Sequence, residues 1–272
     1  MDVARIAVNN LRDARHLGPS FLLRHVNTRA HRSLTHTTLR GVGPITIRND
    51  TSDAAVFSQV FSTHQYELAG FPQYGEIRAF LDAILAEGNT PLIIDLGANV
   101  GASPLWFGSR FPECHVVAVE PDPSNIAMCR ENLRHTANVE VLDAAIGSIA
   151  GAAQLVDNDR GKWGISTVRT DGGDVRVCTV DEIVRSRDDF RLFLVKIDIE
   201  GFESDLFATN TEWVNDAKVV VIEPHDWLLP HAASSRSFQR VMGALDFDLL
   251  LSGENLIYIR RDARVPRPAD VG

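Results

Sequence analysis

Ile93-Ile94-Asp95-Leu96-Gly97-Ala98-Asn99-Val100-Gly101 is the stretch that decides the fold. Leu92 to Asp95 reads as a short buried strand that ends in an acid. The glycines after it read as a turn opening a helix that runs through Arg110. Glycine lets the backbone approach a ligand closely, and Asp95 can accept a hydrogen bond from a positive amino group. The spacing is not that of a dinucleotide binder, because there is no GxGxxG and the acid precedes the first glycine. Nor does the turn end in the Lys-Ser/Thr of a Walker A loop. A pyrophosphate needs a tightly wound loop on a helix N-terminus. A wider GxxxG turn is enough for a nucleoside ligand that carries no phosphate, and S-adenosylmethionine is such a ligand.

Outward from this turn the chain alternates strand, turn and helix. His115 to Val119 reads as the second strand, Ser124 to His135 as a helix and Val139 to Leu142 as the third strand. Residues 152–178 read as β excursions, followed by a helix at about 180–187 and the strand Leu192 to Ile197. Lys218 to Ile222 is a further strand. A helix at about 234–244 precedes Phe247 to Leu251 and Leu256 to Arg260, joined too tightly for a helical crossover. This rhythm predicts an α/β fold: a Rossmann-like, doubly wound, mainly parallel seven-stranded sheet with an antiparallel edge hairpin. Such sheets bind ligands at the carboxyl ends of their strands, near the switch in strand order. Residues 1–50 read as a basic N-terminal extension and 51–90 as a helical lead-in. Residues 91–262 form the core of a domain spanning 51–262, and 263–272 a frayed tail.

Composition narrows the class. The 272-residue chain is 44% hydrophobic, enough for a large core. It has no apolar run long enough to span a bilayer, and its first residues lack a signal-peptide layout. Cys114, Cys129 and Cys178 form no CxxC pair, so a cytoplasmic protein without a disulfide framework is expected. The net charge of −9 argues against a nucleic-acid partner. Residues 1–48 carry eight arginines against Asp2 and Asp13, leaving 19 basic and 34 acidic residues in the remainder. That basic leader reads as a solvated helical arm, or as a docking surface for an acidic carrier or an anionic membrane. Oligomeric state is not readable.

Glu120-Pro121 ends the second strand, 25 residues beyond Asp95. An acid there can accept two hydrogen bonds from a ribose diol. Asp143-Ala144 ends the third strand, where an adenine edge can meet backbone and small side chains. The expected cofactor contacts are therefore Asp95, Gly97, Ala98, Asn99, Gly101, Glu120, Pro121, Asp143 and Ala144. Gln59 and Tyr66 are expected to close over them from the N-terminal side.

These pieces, with Lys196-Ile197-Asp198-Ile199-Glu200-Gly201-Phe202-Glu203 and Ile222-Glu223-Pro224-His225, resemble the FkbM family of methyltransferases. The resemblance covers roughly residues 45–260. Its family-specific part is the Lys-Ile-Asp-Ile-Glu-Gly block, whereas the Gly-rich turn is shared by many methyltransferases. Pro224 departs from the pattern, standing where many members carry an aliphatic residue. The resemblance implies a class I S-adenosylmethionine-dependent O-methyltransferase whose acceptor is a hydroxyl on a secondary metabolite, sugar or glycolipid. Three other readings stand beside it: a protein or lipid acceptor, a nitrogen acceptor, and a non-catalytic subunit with a cofactor fold.

Methyl transfer to a hydroxyl requires oxygen, carbon and sulfur in line and a route for the hydroxyl proton. Asp198, at the end of the fourth parallel strand, can orient the acceptor, contact the cofactor's amino group or ligate a divalent metal. Glu200 and Glu203 would share a helix face if a helix began at 200, which would let Glu200 reach the site as a third catalytic candidate, while Glu203 is equally suited to capping or a salt bridge. His225 is the natural general base. Asp198 and His225 are the residues that would share a Mg²⁺ if the reaction needed one. Histidine is an uncommon Mg²⁺ ligand, so the metal-free reading is favoured. Trp163 and Trp227 are the candidate acceptor contacts.

Overall fold

The computed structural model describes residues 3–157, 165–228 and 230–261. Trp163, in the β excursion, and the expected frayed tail lie outside the described residues. The chain opens with α1 (Val3–His16), α2 (Leu23–Arg29) and the antiparallel hairpin β1 (Leu34–Leu39) and β2 (Gly43–Arg48). Helices α3 (Asp53–Ser62) and α4 (Tyr74–Ala86) lead to β3 (Thr90–Leu96), α5 (Ala102–Arg110), β4 (His115–Glu120), α6 (Pro123–Leu133) and β5 (Val139–Asp143). A small sheet follows, of β6 (Ala145–Ile146), β7 (Gly151–Asp157), β8 (Ile165–Arg169) and β9 (Val175–Cys178). Then come α7 (Val180–Val184), β10 (Phe190–Ile197), α8 (Glu203–Leu206), β11 (Val219–Ile222) and α9 (Arg236–Gly243). The edge hairpin β12 (Phe247–Ser252) and β13 (Asn255–Arg260) closes the described chain.

The main sheet has seven strands in the order β12-β13-β11-β10-β3-β4-β5. β13 pairs antiparallel with both β11 and β12, and the other pairings are parallel. This is the doubly wound, mainly parallel sheet with an antiparallel edge hairpin expected from the sequence. From β3 the chain steps outward through β4 to β5, then returns to β10 on the other side of β3. The switch point therefore lies between the carboxyl ends of β3 and β10.

β3 shows why the sheet is central. Ile93 packs into one apolar cluster, while Leu92, Ile94 and Leu96 pack into the other. Both faces are covered, which is why the strand reads as a continuous apolar run. Each such side chain contributes roughly 1.5–3 kcal/mol on leaving water. α6 starts where Pro123 fixes the first turn and the Asp122 carboxylate accepts from the Asn125 amide at 2.8 Å.

The N-terminal segment is not a solvated arm. Leu17, Phe21, Leu39, Ile45 and Ile47 are buried in the same cluster as α3, α4 and α5. Buried Asp13 accepts from Arg24 at 2.9 Å and from the hydroxyls of Ser58 and Ser62 at 2.5 and 3.0 Å, tying α1 to α3. β1 had no counterpart in the sequence reading. Its inward positions are Thr35, Thr37 and Leu39, so its buried face carries one apolar residue in three and little apolar signal. Among the described residues no helix is long and apolar enough to cross a membrane.

Candidate functional site

The turn after β3 is shaped by its contact with β10. Gly97 has φ +81°, and a Cβ there would stand 1.8 Å from the carbonyl oxygen of Asp198. Only glycine permits that approach. The Asp198 amide donates to Leu96 O at 3.0 Å, and the amides of Gly97 and Ala98 donate to Val119 O at 3.0 Å each. Three strand ends are thus drawn together. Asn99 takes φ +51° and donates its amide to Glu120 Oε2 at 2.8 Å. Gly101 serves packing instead, since a Cβ there would stand 3.2 Å from Cys129 Cα in α6.

Two hollows meet at this turn. One, of about 120 Å³, is lined by Glu120, Pro121, Ala144 and the small sheet. The other, of about 910 Å³, is walled by α1 and α3, the tip of the edge hairpin and Trp227. Gly97, Asn99, Asp198 and Glu200 line both. Ala98, Tyr66 and Gln59 face the larger one. Tyr66 is buried, which raises the pKa of its phenol, while Trp227 is 66% exposed on the rim. Glu120 is buried, and its carboxylate also accepts from the Asp122 amide at 3.0 Å. Burial lifts its pKa while these amides pull it back.

Besides Gly101, two expected cofactor contacts sit elsewhere. Asp143 pairs with Arg130 at 2.5 Å and borders a separate hollow beside α6. Asp95 is fully buried, and the amino group that meets it is the chain's own: Lys196 Nζ stands 3.0 Å from Asp95 Oδ1. Lys196 also donates to Gly97 O at 2.7 Å and lies 3.5 Å from Asp198 Oδ2. Burial works against the ammonium, but the charges of Asp95 and Asp198 outweigh it and hold its pKa above the usual lysine value. Lys196 was quoted in the motif but given no role. Its signal was a lysine inside the apolar run of β10, where an unpaired charge is not tolerated.

Beyond Lys196 the charged chain continues. His225 is 2% exposed at the end of β11. Its Nε2 stands 3.4 Å from Asp198 Oδ1, and its Nδ1 stands 2.7 Å from Glu203 Oε1. Burial depresses the imidazole, yet the hydrogen bonds to Asp198 and Glu203 outweigh it and push the pKa up to about 11. Asp198 is itself held below the usual carboxylate range: burial raises it, and Lys196 and His225 more than offset this. Burial, with the charge of Asp198 beside it, pushes Glu200 up to about 7.

The helix imagined from residue 200 does not form there. Glu200 and Gly201 take left-handed angles (φ +53° and +96°), and α8 begins only at Glu203. Glu200 therefore faces the cavities while Glu203 turns inward beneath His225. Asp198, Glu200 and His225 each bring one ligating atom to within 4.8 Å of the others.

Comparison with known proteins gives the family. A model described as the methyltransferase FkbM domain matches residues 95–245. The 2-O-methyltransferase NoeI of Sinorhizobium fredii is 26% identical over 52% of this chain and 66% of its own length. The methyltransferase sdnD of Sordaria araneosa is 25% identical over 37% of this chain and 34% of its own length. The chain thus spans just under two thirds of the first relative and about a third of the second. Among solved structures, the N-terminal domain of human METTL16 in complex with SAH superposes with TM-score 0.40 and 9% identity. That match covers 90% of this chain and 95% of that one.

Proposed function

Because the chain belongs to the FkbM methyltransferase family, we propose that it transfers a methyl group from S-adenosylmethionine to a hydroxyl of a small acceptor such as a secondary metabolite, sugar or glycolipid. One observation carries the reading: two hollows of unequal size share the wall made by Gly97, Asn99, Asp198 and Glu200. The nucleoside sits in the smaller, with its ribose diol on Glu120 and its adenine against Ala144. The sulfonium methyl points across the shared wall into the larger, where the acceptor lies between Tyr66 and Trp227. Asp198, Glu200 and His225 supply orientation and a route for the hydroxyl proton as the O–C bond forms. The 2-O-methyltransferase among the relatives supports a hydroxyl acceptor. Three buried thiols suit a reducing cytoplasm.

The test has two stages. Purified protein is titrated calorimetrically with S-adenosylhomocysteine, with NADH as the control ligand. It is then incubated with methyl-labelled S-adenosylmethionine and hydroxylated acceptors, next to amine and protein acceptors. Binding of the first ligand alone, and label on oxygen, is the expected result. Binding without transfer to any acceptor class would favour a non-catalytic subunit, and label on nitrogen would overturn the hydroxyl assignment.

A further inference from the structure

Resting on the cavity's reading as a methyl-transfer site, we propose that Asp198, Glu200 and His225 Nε2 bind a divalent first-row cation that activates the acceptor hydroxyl. The three ligating atoms lie within 4.8 Å of one another. Ligands held about 2.0–2.2 Å from one ion stand roughly 3–4 Å apart, so closure asks for movements below an ångström. The independent observation is behind His225. Glu203, 1% exposed, meets Nδ1 at 2.7 Å and lies under the imidazole, away from the cavity. A carboxylate holding one ring nitrogen so that the other is aimed outward is the usual support of a metal-ligating histidine. Here Nε2 is aimed at Asp198 Oδ1, 3.4 Å away, beside Glu200 on the cavity wall.

The charge balance points the same way. Among the described residues, Asp95, Asp198, Glu200, Glu203 and Glu223 gather around Lys196 and His225, and a metal at Nε2 would take the place of the proton that the imidazole shares with Asp198. A dication at the open end of this chain offsets the surplus of acid. One imidazole with two carboxylates is a mixed set that suits Mn²⁺, Fe²⁺ or Zn²⁺ better than Mg²⁺ or Ca²⁺, which take oxygen throughout. The uncommonness of histidine as a Mg²⁺ ligand therefore tells against that ion and not against a metal. Three protein ligands leave positions open on the side of the 910 Å³ cavity. An acceptor hydroxyl bound there loses its proton to cavity water more readily than a free one. The resulting oxyanion attacks the sulfonium methyl: the O–C bond forms, the C–S bond breaks, and sulfur leaves as a neutral thioether.

The experiment uses the full chain, stripped of metal by dialysis against a chelator and loaded with S-adenosylhomocysteine. Mn²⁺ is titrated in, and the free ion is followed by electron paramagnetic resonance. One ion per chain is expected, displaced by Mg²⁺ only at large excess. Asp198→Asn and Glu200→Gln should weaken uptake at least about tenfold. Glu203→Gln, which contacts the ion nowhere, should weaken it by about 10–100-fold through loss of the imidazole's support. Glu87→Gln, an exposed change at the end of α4, should leave it unchanged. A melting curve on each variant separates loss of metal from loss of fold. Homocysteine-ligand binding with no Mn²⁺ uptake into the millimolar range would overturn the metal site and leave the methyl-transfer reading standing. Uptake indifferent to Glu200→Gln and Glu203→Gln would overturn this ligand set. A folded protein that binds neither ligand would remove the underlying reading as well.

Discussion

Gly97→Ala is the most incisive perturbation of the turn that joins β3 to β10. At φ +81° an L-residue adopts the left-handed region at about 1–2 kcal/mol. The added methyl would stand 1.8 Å from Asp198 O and 2.9 Å from its carbonyl carbon, both rigid backbone. Reaching even a 3.0 Å separation requires the two loops to part by roughly 1.2 Å. Overpacking of this kind typically adds about 1–3 kcal/mol, so the total is roughly 2–5 kcal/mol. For a domain near this size that corresponds to a fall in Tm of about 5–20 °C. The functional loss should be larger. The displaced wall carries both the cofactor turn and Asp198, and a misplacement of about 1 Å costs on the order of a hundredfold in a reacting site. Thermal melting and calorimetry with S-adenosylhomocysteine measure the two effects on one sample. Gly172→Ala is the control, because nothing lies within 4 Å of where its Cβ would stand. A Gly97→Ala protein that melts with wild type and binds the ligand within threefold of it would refute the claim that this contact sets the site.

Glu120→Gln keeps the volume but removes the charge that the ribose diol should meet. Ligand affinity is expected to fall about 10–100-fold, in line with about 1.5–3 kcal/mol for charged hydrogen bonds, with Tm lowered as well because one of the oxygens that accept from the amides of Asn99 and Asp122 becomes a donor; an unchanged affinity in the folded variant would move the ribose elsewhere. Lys196→Met leaves Asp95 without a cation and Asp198 with His225 as its partner, and should lower stability by about 3–5 kcal/mol in a chemical unfolding series. The double variant Lys196→Met with Asp95→Asn should regain part of this; no recovery would mean that the pair is not coupled. Trp227→Ala, on the exposed rim, should raise the acceptor's KM while stability and homocysteine-ligand affinity stay put. A loss of stability instead would make Trp227 a packing residue.

What the sequence revealed and what it concealed divide along a physical line. The β3 turn was legible because its information is local: an apolar strand, an acid and two glycines within nine residues. The sheet was legible because strands buried on both faces must be continuously apolar, as Leu92–Leu96 and Val219–Ile222 are. β1 was invisible because two of the three residues on its buried face are Thr35 and Thr37, with Leu39 the third. Thr35 exchanges hydrogen bonds with Asn27 and Asn49, so the burial there is satisfied by polar partners that no hydrophobic period records. The basic leader misled for a related reason. Counting arginines gives the charge of a segment and not where it goes, and here Arg24 and Arg48 turn inward onto Asp13 and Asp53.

The acid-base cluster lies at the boundary between these cases. Asp198, Glu200 and His225 could be named from strand ends, since a parallel sheet delivers those positions to one edge. Their partners could not, because Lys196 reaches Gly97 across 99 residues and His225 reaches Glu203 across 22. Yet Lys196 carried a usable signal. A lysine flanked by Leu192–Val195 and Ile197 in a strand with helices expected on both sides must be buried, and a buried ammonium must have a carboxylate within reach. Parallel pairing in register sets Lys196 beside Asp95. Asp95 therefore meets the chain's own ammonium in the protein's interior, an outcome that its burial and that register together dictate.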